Sequence, residues 1–182
     1  MDKMQNNIEF RVATLRDYQD CVELINKARK QMMDSGLHQW TDGYPSKDDV
    51  LNDINNGVAR VLTINKKIAV YGAVVLNGEP RYDFIQGEWK THENYYVIHR
   101  LATLPEFQRE GLARVFIKRI KGLCEVEYVP SIKVDTHIKN LKMVNLLSSL
   151  GFCYCGTINY GECGIRVAFE YVTFDAANEK DR

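Results

Sequence analysis

The sequence lacks three features, and each absence excludes a class of protein. Its 24 Lys and Arg residues balance 24 Asp and Glu residues, so it has no basic excess of the kind expected in a dedicated nucleic-acid binder. No apolar run approaches the roughly 18 residues of a membrane span, and residues 1–10 contain no apolar stretch typical of a secretory signal. We therefore expect a soluble, cytoplasmic protein with neither a nucleic-acid nor a membrane partner.

The cysteines provide neither a disulfide framework nor a metal site. There are 5 of them, an odd number without the paired spacing of a disulfide-rich protein. Cys153 and Cys155 flank one residue of a predicted strand, so alternation places both side chains on one face. A zinc ion would need further ligands at matching spacing, and none is evident. We predict no metal.

The pattern of apolar residues predicts one domain over residues 1–182, with a core at about 8–173 and a polar tail at 174–182. Capping-box pairs and strand-like alternation give the element order β-α-α-β-β-β-α-β-α-β-β. Such an order is typical of a single α/β (α+β) domain. Residues 77–94 interrupt it as a segment punctuated by Gly78, Pro80 and Gly87. The sequence leaves open whether this segment covers the active site or contacts another copy.

The segment Leu101–Ala113 carries the strongest chemical signal. A predicted strand ends there, a short turn follows, and a helix begins around residues 108–111. A helix N-terminus presents unpaired N–H groups that bind phosphate oxygens, and Gly111 leaves the backbone open to their approach. An ordinary helix start with a tolerated glycine is the structural alternative. The G-x-x-x-x-G-K-[ST] and G-x-G-x-x-G loops are absent, which argues against a kinase or a common dinucleotide enzyme.

The run Gln108-Arg109-Glu110-Gly111-Leu112-Ala113 resembles the Q/R-x-x-G-x-G/A signature of the GNAT superfamily of acetyl-CoA-dependent N-acetyltransferases. The strand at residues 99–104, the Leu-Gly-Phe run at 150–152 and the element order over 8–172 match the same family. The resemblance implies a mixed, mostly antiparallel central sheet with two splayed strands, flanked by about four helices. It also implies acetyl-CoA as the co-substrate.

The resemblance assigns cofactor contacts to named residues. It implies that the main chain of Leu101, Ala102 and Thr103 meets the pantetheine arm of acetyl-CoA, and that Asn140 hydrogen-bonds the same arm. The pyrophosphate would lie against a loop and helix start that comprise Gln108, Arg109, Glu110, Gly111, Leu112, Ala113 and Arg114.

The catalytic groups are less evident. His99 is the candidate base, because an unperturbed imidazole titrates near ~6.5 and arylalkylamine acetyltransferases carry a catalytic histidine at this place on the cofactor strand. A structural histidine is the alternative. Many family members place a proton-donating tyrosine where this chain has Leu147. Tyr154 is therefore a candidate acid, and the other substitutes are Tyr160, His137 and Cys155, unless the thiolate leaves unassisted.

The acceptor site is predicted near residues 36–45. Trp40 and Tyr44 are candidate walls, with His38 and Gln39 as polar contacts. The alternative is that both aromatic residues anchor the loop to the core. We expect a small primary amine as the acceptor. A protein lysine or N-terminus is the first alternative, and a non-catalytic acyl-CoA-binding regulatory domain is the second. Whether the chain forms a homodimer stays open.

The zero net charge conceals two charged segments. Residues 108–122 have a local charge of +4, and residues 34–57 have a local charge of −4. Some of these charges belong to solvated helix faces. Positive charge near a polyphosphate and negative charge near the acceptor loop would favour an anionic cofactor and a cationic amine.

Overall fold

A computed structural model describes residues 7–41 and 43–174, so residues 175–182 of the predicted tail lie outside it. The described chain forms eight strands and four α-helices. The strands are β1 (Ile8–Val12), β2 (Ala59–Ile64), β3 (Lys67–Leu76), β4 (Gln86–Gly87), β5 (Tyr95–Thr103), β6 (Ser131–His137), β7 (Cys153–Asn159) and β8 (Ile165–Val172). The helices are α1 (Tyr18–Asp34), α2 (Lys47–Asn55), α3 (Leu112–Glu127) and α4 (Leu141–Ser149).

The strands follow the order β1-β2-β3-β5-β6-β8-β7-β4. β5 and β6 are parallel, whereas the β1–β2, β2–β3, β4–β7, β6–β8 and β7–β8 pairs are antiparallel. Within the described chain, the ladder between β5 and β6 ends at the Val97–Lys133 pair, while β6 pairs with β8 through His137. This mixed, mostly antiparallel sheet with splayed strands and four helices confirms the predicted fold class.

Residue contacts divide the described chain into two compact units. Unit 1 contains residues 7–36, 40–74 and 100–117, and unit 2 contains residues 37–39, 75–99 and 118–174. The single domain expected over residues 1–182 stays a prediction.

Unit 1 buries the apolar faces of α1 and α2 in a cluster with β2 and β3, whose members include Leu24, Ile25, Val50, Val61 and Tyr71. Local signals in the sequence set the ends of these elements. The Ser46 hydroxyl accepts the Asp49 N–H at 3.1 Å, and the Asp49 carboxylate accepts the Ser46 N–H at 2.7 Å, which completes the predicted capping box of α2. Asn65 and Lys66, both with positive φ, form the tight turn between β2 and β3.

Unit 2 includes the 77–94 segment, which the sequence left undefined. Tyr82 and Trp89 of this segment are buried with Val97, Ile158 and Ala168, all on neighbouring strands. The buried Glu170 carboxylate accepts the Lys90 N–H at 2.5 Å and the Thr91 hydroxyl at 2.5 Å. The segment is therefore an ordered part of unit 2 and supplies the two-residue strand β4, which was not predicted.

One local prediction is refined and one was wrong. Helix α3 begins at Leu112, directly after the predicted range of residues 108–111, because Arg109 and Gly111 both have positive φ and keep the chain out of a helix. Cys153 and Cys155 do not share a face, because the register of β7 against β8 shifts between Tyr154 and Gly156. The bulge exposes Cys153 and buries Cys155.

The described residues hold no helix of the length and hydropathy that crossing a bilayer requires.

Candidate active site

The signature loop of unit 1 forms an open turn in front of helix α3. A 3₁₀ turn at Pro105–Phe107 is followed by Arg109 and Gly111, with φ of 68° and 75°. The Val115 N–H donates to the Gly111 carbonyl oxygen at 3.1 Å. The first turn of an α-helix has no intrahelical acceptors for its N–H groups, so this end of α3 is suited to bind an anion.

Gly111 has free space around it. A Cβ built at this position would have no other atom within 4 Å. The glycine is therefore not required by packing inside the protein; the positive φ favours it, and the bare backbone stays open to a ligand. Arg109 and Glu110 are exposed beside it, Ala113 and Arg114 are half-buried, and Leu112 is buried and anchors the helix.

Gln108 braces the loop from within unit 1. Its Nε2 donates to Oε1 of Gln31 on α1 at 2.6 Å, and Nε2 of Gln31 donates back to Oε1 of Gln108 at 3.2 Å. Lys67 and Glu106 form an exposed ion pair at 2.6 Å nearby. The Gln108 side chain thus contacts α1, and its predicted contact with the cofactor would have to come from the main chain.

The end of β5 carries the residues predicted to meet the pantetheine arm. Ala102 is buried in the core cluster of unit 1, together with Leu104, whose N–H donates to the Ala69 carbonyl oxygen at 2.8 Å. Leu101 and Thr103 alternate with them and are half-buried. Packing therefore holds this part of the strand in place.

Arg100 interrupts the strand just before these residues. Its φ is 56°, in the left-handed region, although it lies inside β5. Its side chain forms a two-point ion pair with the buried Asp53 of α2, with Nε–Oδ2 at 2.9 Å and Nη2–Oδ1 at 2.5 Å. The Tyr71 hydroxyl donates to the same carboxylate at 2.6 Å. Sequence analysis did not find this cluster.

The two predicted aromatic walls of the acceptor site lie in unit 1 and differ in exposure. Trp40 is only 5% exposed and belongs to the core cluster of unit 1. It therefore anchors its loop to the core, which was the alternative to a role as a wall of the acceptor site. Tyr44 is 41% exposed, and its hydroxyl accepts a hydrogen bond from Nη1 of Arg100 at 3.2 Å. Tyr44 is therefore the better placed of the two to contact a ligand.

The candidate base His99 lies in unit 2 and is half-buried. Its charge interacts favourably with Asp135 of β6. The Asp135 carboxylate accepts hydrogen bonds from Tyr82 at 2.8 Å and from Tyr160 at 3.2 Å. Burial raises the pKa of Asp135, against the opposing effect of these partners. Asp135 and Tyr82 were not among the predicted site residues.

Asn140 caps helix α4 in unit 2. Its Oδ1 accepts the Met143 N–H at 3.3 Å, and its Nδ2 donates to the Thr136 hydroxyl at 3.1 Å. Gln39 joins the cluster, because its Oε1 accepts the Thr136 hydroxyl at 3.0 Å and the His137 N–H at 3.1 Å. The amide of Asn140 therefore already has protein partners, and its contact with the cofactor stays a prediction. His38 is exposed.

Comparison with known proteins decides the family. The model of the acetyltransferase (GNAT) family matches residues 26–152. The chain belongs to the acetyltransferase (GNAT) family. It is therefore an acyltransferase. A comparison with curated proteins finds no match.

Solved acetyltransferases share the fold along nearly the whole chain. An acetyltransferase of the GNAT family from Streptococcus agalactiae is 34% identical, with a TM-score of 0.83 over 92% of this chain and 96% of that one. The ribosomal-protein-S18-alanine N-acetyltransferase of Escherichia coli is 16% identical, with a TM-score of 0.67 over 96% and 98%. The yncA protein of Salmonella typhimurium, solved with its cofactor acetyl-CoA, is 15% identical, with a TM-score of 0.67 over 93% and 96%.

The position at which the family resemblance predicts a proton-donating tyrosine is occupied by a leucine. Leu147 is fully buried. Tyr154 is 56% exposed and packs edge-on against Phe169, which pairs with Val134 and therefore faces away from the side of β6 that carries Asp135. Tyr154 thus lies apart from the Asp135 cluster, whereas Tyr160 belongs to it.

The described residues contain no group of three or more His, Cys, Asp or Glu residues placed to hold a metal ion.

Proposed function

We propose that this acetyltransferase transfers the acetyl group of acetyl-CoA to the primary amine of a small molecule by direct attack in a ternary complex. The observation that carries the proposal is the open backbone at Gly111, before the 16-residue helix α3. Its φ is 75°, and no other atom lies within 4 Å of the point that a Cβ would occupy. These features suit a pyrophosphate. The acetyl-CoA of the Salmonella typhimurium protein supports the same cofactor here.

In the proposed reaction, the amine nitrogen attacks the thioester carbonyl carbon, the C–S bond breaks, and CoA leaves as the thiolate. A main-chain N–H at the end of β5 would stabilise the negative charge on the carbonyl oxygen. His99 would accept the proton that the amine loses. The nearby Asp135 supports this role, because its negative charge interacts favourably with the positive charge that His99 would take up.

The proposal needs no dedicated acid. Tyr160 is the substitute closest to the Asp135 carboxylate, but burial raises its pKa and makes it a weaker acid than an ordinary tyrosine. Cys155 is buried, and burial raises its pKa as well. We therefore propose that the thiolate leaves unassisted and takes a proton from solvent.

Charge gives the amine acceptor less support than the sequence predicted. Of the acidic residues in 34–57, Asp53 pairs with Arg100, Asp34 pairs with Lys30 at 2.9 Å, and Asp49 caps α2. Asp42 lies outside the described residues. Three of the five carboxylates in this segment thus already have partners within the protein, which weakens the case for attraction of a cationic substrate.

A thermal-shift comparison tests the cofactor. Acetyl-CoA at about 100 times its Kd should stabilise the protein by about 2.7 kcal/mol, whereas ATP and NAD at the same concentration should give smaller shifts. Equal shifts for all three ligands would contradict a specific acetyl-CoA site.

A thiol-release assay tests the reaction. Acetyl-CoA is offered with a panel of small primary amines, and turnover should follow the amines. His99→Ala should lower kcat by about 10²–10⁴-fold and remove the limb of the pH–rate profile that reports the base. An unchanged pH–rate profile in that variant would exclude His99 as the base.

A protein N-terminus is the second candidate acceptor, because the burial of Trp40 removes one of the two walls on which a small-molecule pocket was predicted. The Escherichia coli neighbour, named for the acetylation of a ribosomal-protein alanine, motivates the comparison. Peptides with free N-termini added to the amine panel decide between the two. Peptide turnover faster than that of every small amine would favour this candidate.

A further inference from the structure

Arg100 has an unusual backbone conformation for its position. Among the described residues other than glycine, Asn65, Lys66, Asn77, Arg109 and Tyr128 also have positive φ, and all of them lie outside the strands and α-helices. Among these described residues with positive φ, Arg100 is the exception, because it lies inside strand β5. A left-handed residue with a Cβ is sterically disfavoured and persists only where its surroundings hold it.

The Arg100 side chain is fixed on all sides of its guanidinium group. Nε and Nη2 bind the two oxygens of Asp53, and Nη1 donates to the Tyr44 hydroxyl at 3.2 Å. The hydroxyl of Tyr71, on β3, donates a hydrogen bond to the same Asp53 carboxylate. The side chains of Arg100 and Asp53 are 15% and 6% exposed. Helix α2, strand β3 and the Tyr44 loop thus all restrain one residue of β5.

Stability alone does not account for this pair. A buried ion pair gives up so much hydration that an apolar replacement of similar volume is often neutral or stabilising. A planar two-point pair does, however, fix geometry, because both nitrogens of the fork must meet both carboxylate oxygens. The arrangement therefore suits a role in orienting the backbone.

The backbone that the pair orients is the part of β5 predicted to meet the cofactor. Leu101, Ala102 and Thr103 follow Arg100 directly, and Leu104 is tied to Ala69 by its N–H. The stretch is thus held by the ion pair at one end and by the core of unit 1 at the other. A change of φ at Arg100 would rotate the N–H and C=O groups of the following residues.

We propose that Asp53 and Arg100 are positioning residues, which hold β5 in a left-handed kink and so direct the main chain of Leu101–Thr103 toward the pantetheine arm of acetyl-CoA. This inference rests on the proposed cofactor, and it assigns neither side chain a contact with the reacting atoms.

Matched double variants separate the backbone conformation from the ion pair. Asp53→Asn combined with Arg100→Gly removes both charges, and glycine adopts the positive φ without strain. Asp53→Asn combined with Arg100→Ala removes the same charges, but the alanine Cβ disfavours that φ. Asp53→Asn combined with Arg100→Asn is intermediate, because asparagine tolerates the left-handed region better than alanine. No variant leaves an unpaired buried charge.

The affinities for acetyl-CoA and ADP, measured by isothermal titration calorimetry, give the readout. ADP carries a pyrophosphate but lacks the pantetheine arm, so it reports the Gly111 loop alone. The glycine double variant can adopt the kink but lacks the ion pair that holds it, so it should bind acetyl-CoA more weakly than the parent and more tightly than the alanine double variant. The alanine double variant should bind acetyl-CoA at least about tenfold more weakly than the parent. The asparagine double variant should fall between the glycine and alanine double variants, and ADP affinity should be alike in all four proteins.

Two results would overturn the inference. If the glycine and alanine variants bind acetyl-CoA equally, the kink does not serve the cofactor. If acetyl-CoA and ADP affinities fall together, the variants have lost the whole site. If the alanine double variant does not unfold cooperatively, it is not properly folded. The glycine and asparagine double variants are then compared with each other in the same way. A parent protein that does not bind acetyl-CoA at all would instead refute the proposed function, and with it this inference.

Discussion

Two carboxylates, the buried Asp53 in unit 1 and the half-buried Asp135 in unit 2, show how different partners give the same side chain different properties. Asp53 in unit 1 accepts a tyrosine hydroxyl at 2.6 Å and two bonds from Arg100. Asp135 in unit 2 accepts a tyrosine hydroxyl at 2.8 Å, but its second bond comes from another tyrosine, Tyr160, at 3.2 Å. Asp135 also interacts with the charges of His99 and Arg166.

The two carboxylates thus differ in the partners that compensate their charge. The Arg100 guanidinium compensates the Asp53 charge directly and holds both groups in one geometry. Asp135 is half-buried beside two tyrosine hydroxyls, and burial raises its pKa. Groups of this second kind cluster at catalytic sites, which agrees with the proposed role of His99.

Replacing Asp53 should have the largest effect. Asp53→Ala leaves the Arg100 charge buried and unpaired, so the free energy of unfolding should fall by about 3–5 kcal/mol. Asp135→Ala leaves the Tyr82 and Tyr160 hydroxyls without this acceptor, so its loss should be about 1–3 kcal/mol. Urea unfolding of both variants measures the difference. A larger loss for Asp135→Ala would reverse the proposed distinction between the two sites.

Removing the tyrosine hydroxyls sharpens the comparison. Tyr71→Phe leaves Asp53 its two bonds from Arg100, so it should cost about 0.5–1.5 kcal/mol of unfolding free energy. Tyr82→Phe removes one of two bonds to Asp135 and should cost about 1.5–3 kcal/mol. The second variant should also raise the pKa of Asp135 further, because the Tyr82 hydrogen bond lowers it.

The carboxyl resonance of Asp135, followed by NMR across pH in Tyr82→Phe, measures that shift. Tyr154→Phe is the matched control, since this tyrosine lies on the other face of the sheet and should leave the titration unchanged. A lowered pKa in Tyr82→Phe would show that the hydroxyl does not stabilise the carboxylate.

Most of the fold was predictable because its signals are local. The Ser46–Asp49 pair forms a capping box, as its spacing in the sequence predicts, and the structure shows that Asn140 caps α4. Strand β4 was not found, because two residues carry no period and this strand depends on its pairing with β7. The bulge at Cys155 was missed for the same reason, since a register shift belongs to a pair of strands and not to one sequence.

The candidate site was predictable only where a motif marks it. The Gly111 loop has a short sequence signature, and its positive φ agrees with that signature. The Asp53–Arg100 pair joins residues that are 47 positions apart, and the Tyr82–Asp135 bond joins residues 53 apart. Nothing in a local pattern distinguishes such residues from ordinary surface charges. Burial of Trp40 likewise depends on the assembled core of unit 1.

The pH dependence of stability should show the smallest effect. The pKa of Asp135 is raised in the folded state, so the folded protein binds this proton more tightly than the unfolded chain does. The contribution of Asp135 to the free energy of unfolding therefore falls as pH rises from about 4 to the folded pKa. Asp135→Asn mimics the protonated acid, so its stability relative to the parent should increase across that interval, with a slope of at most about 1.4 kcal/mol per pH unit.

Asp17 provides the opposite case and the control. Arg11 holds the pKa of Asp17 at about 2, so the charged form is favoured in the folded state. The parent should therefore exceed Asp17→Asn in stability above about pH 4, and this advantage should shrink as pH falls toward 2. Urea unfolding at several pH values measures both differences. For each variant, the slope is that of its stability relative to the parent, plotted against pH. Slopes of the same sign would contradict the expected contrast, in which the pKa of Asp135 is raised and the pKa of Asp17 is lowered.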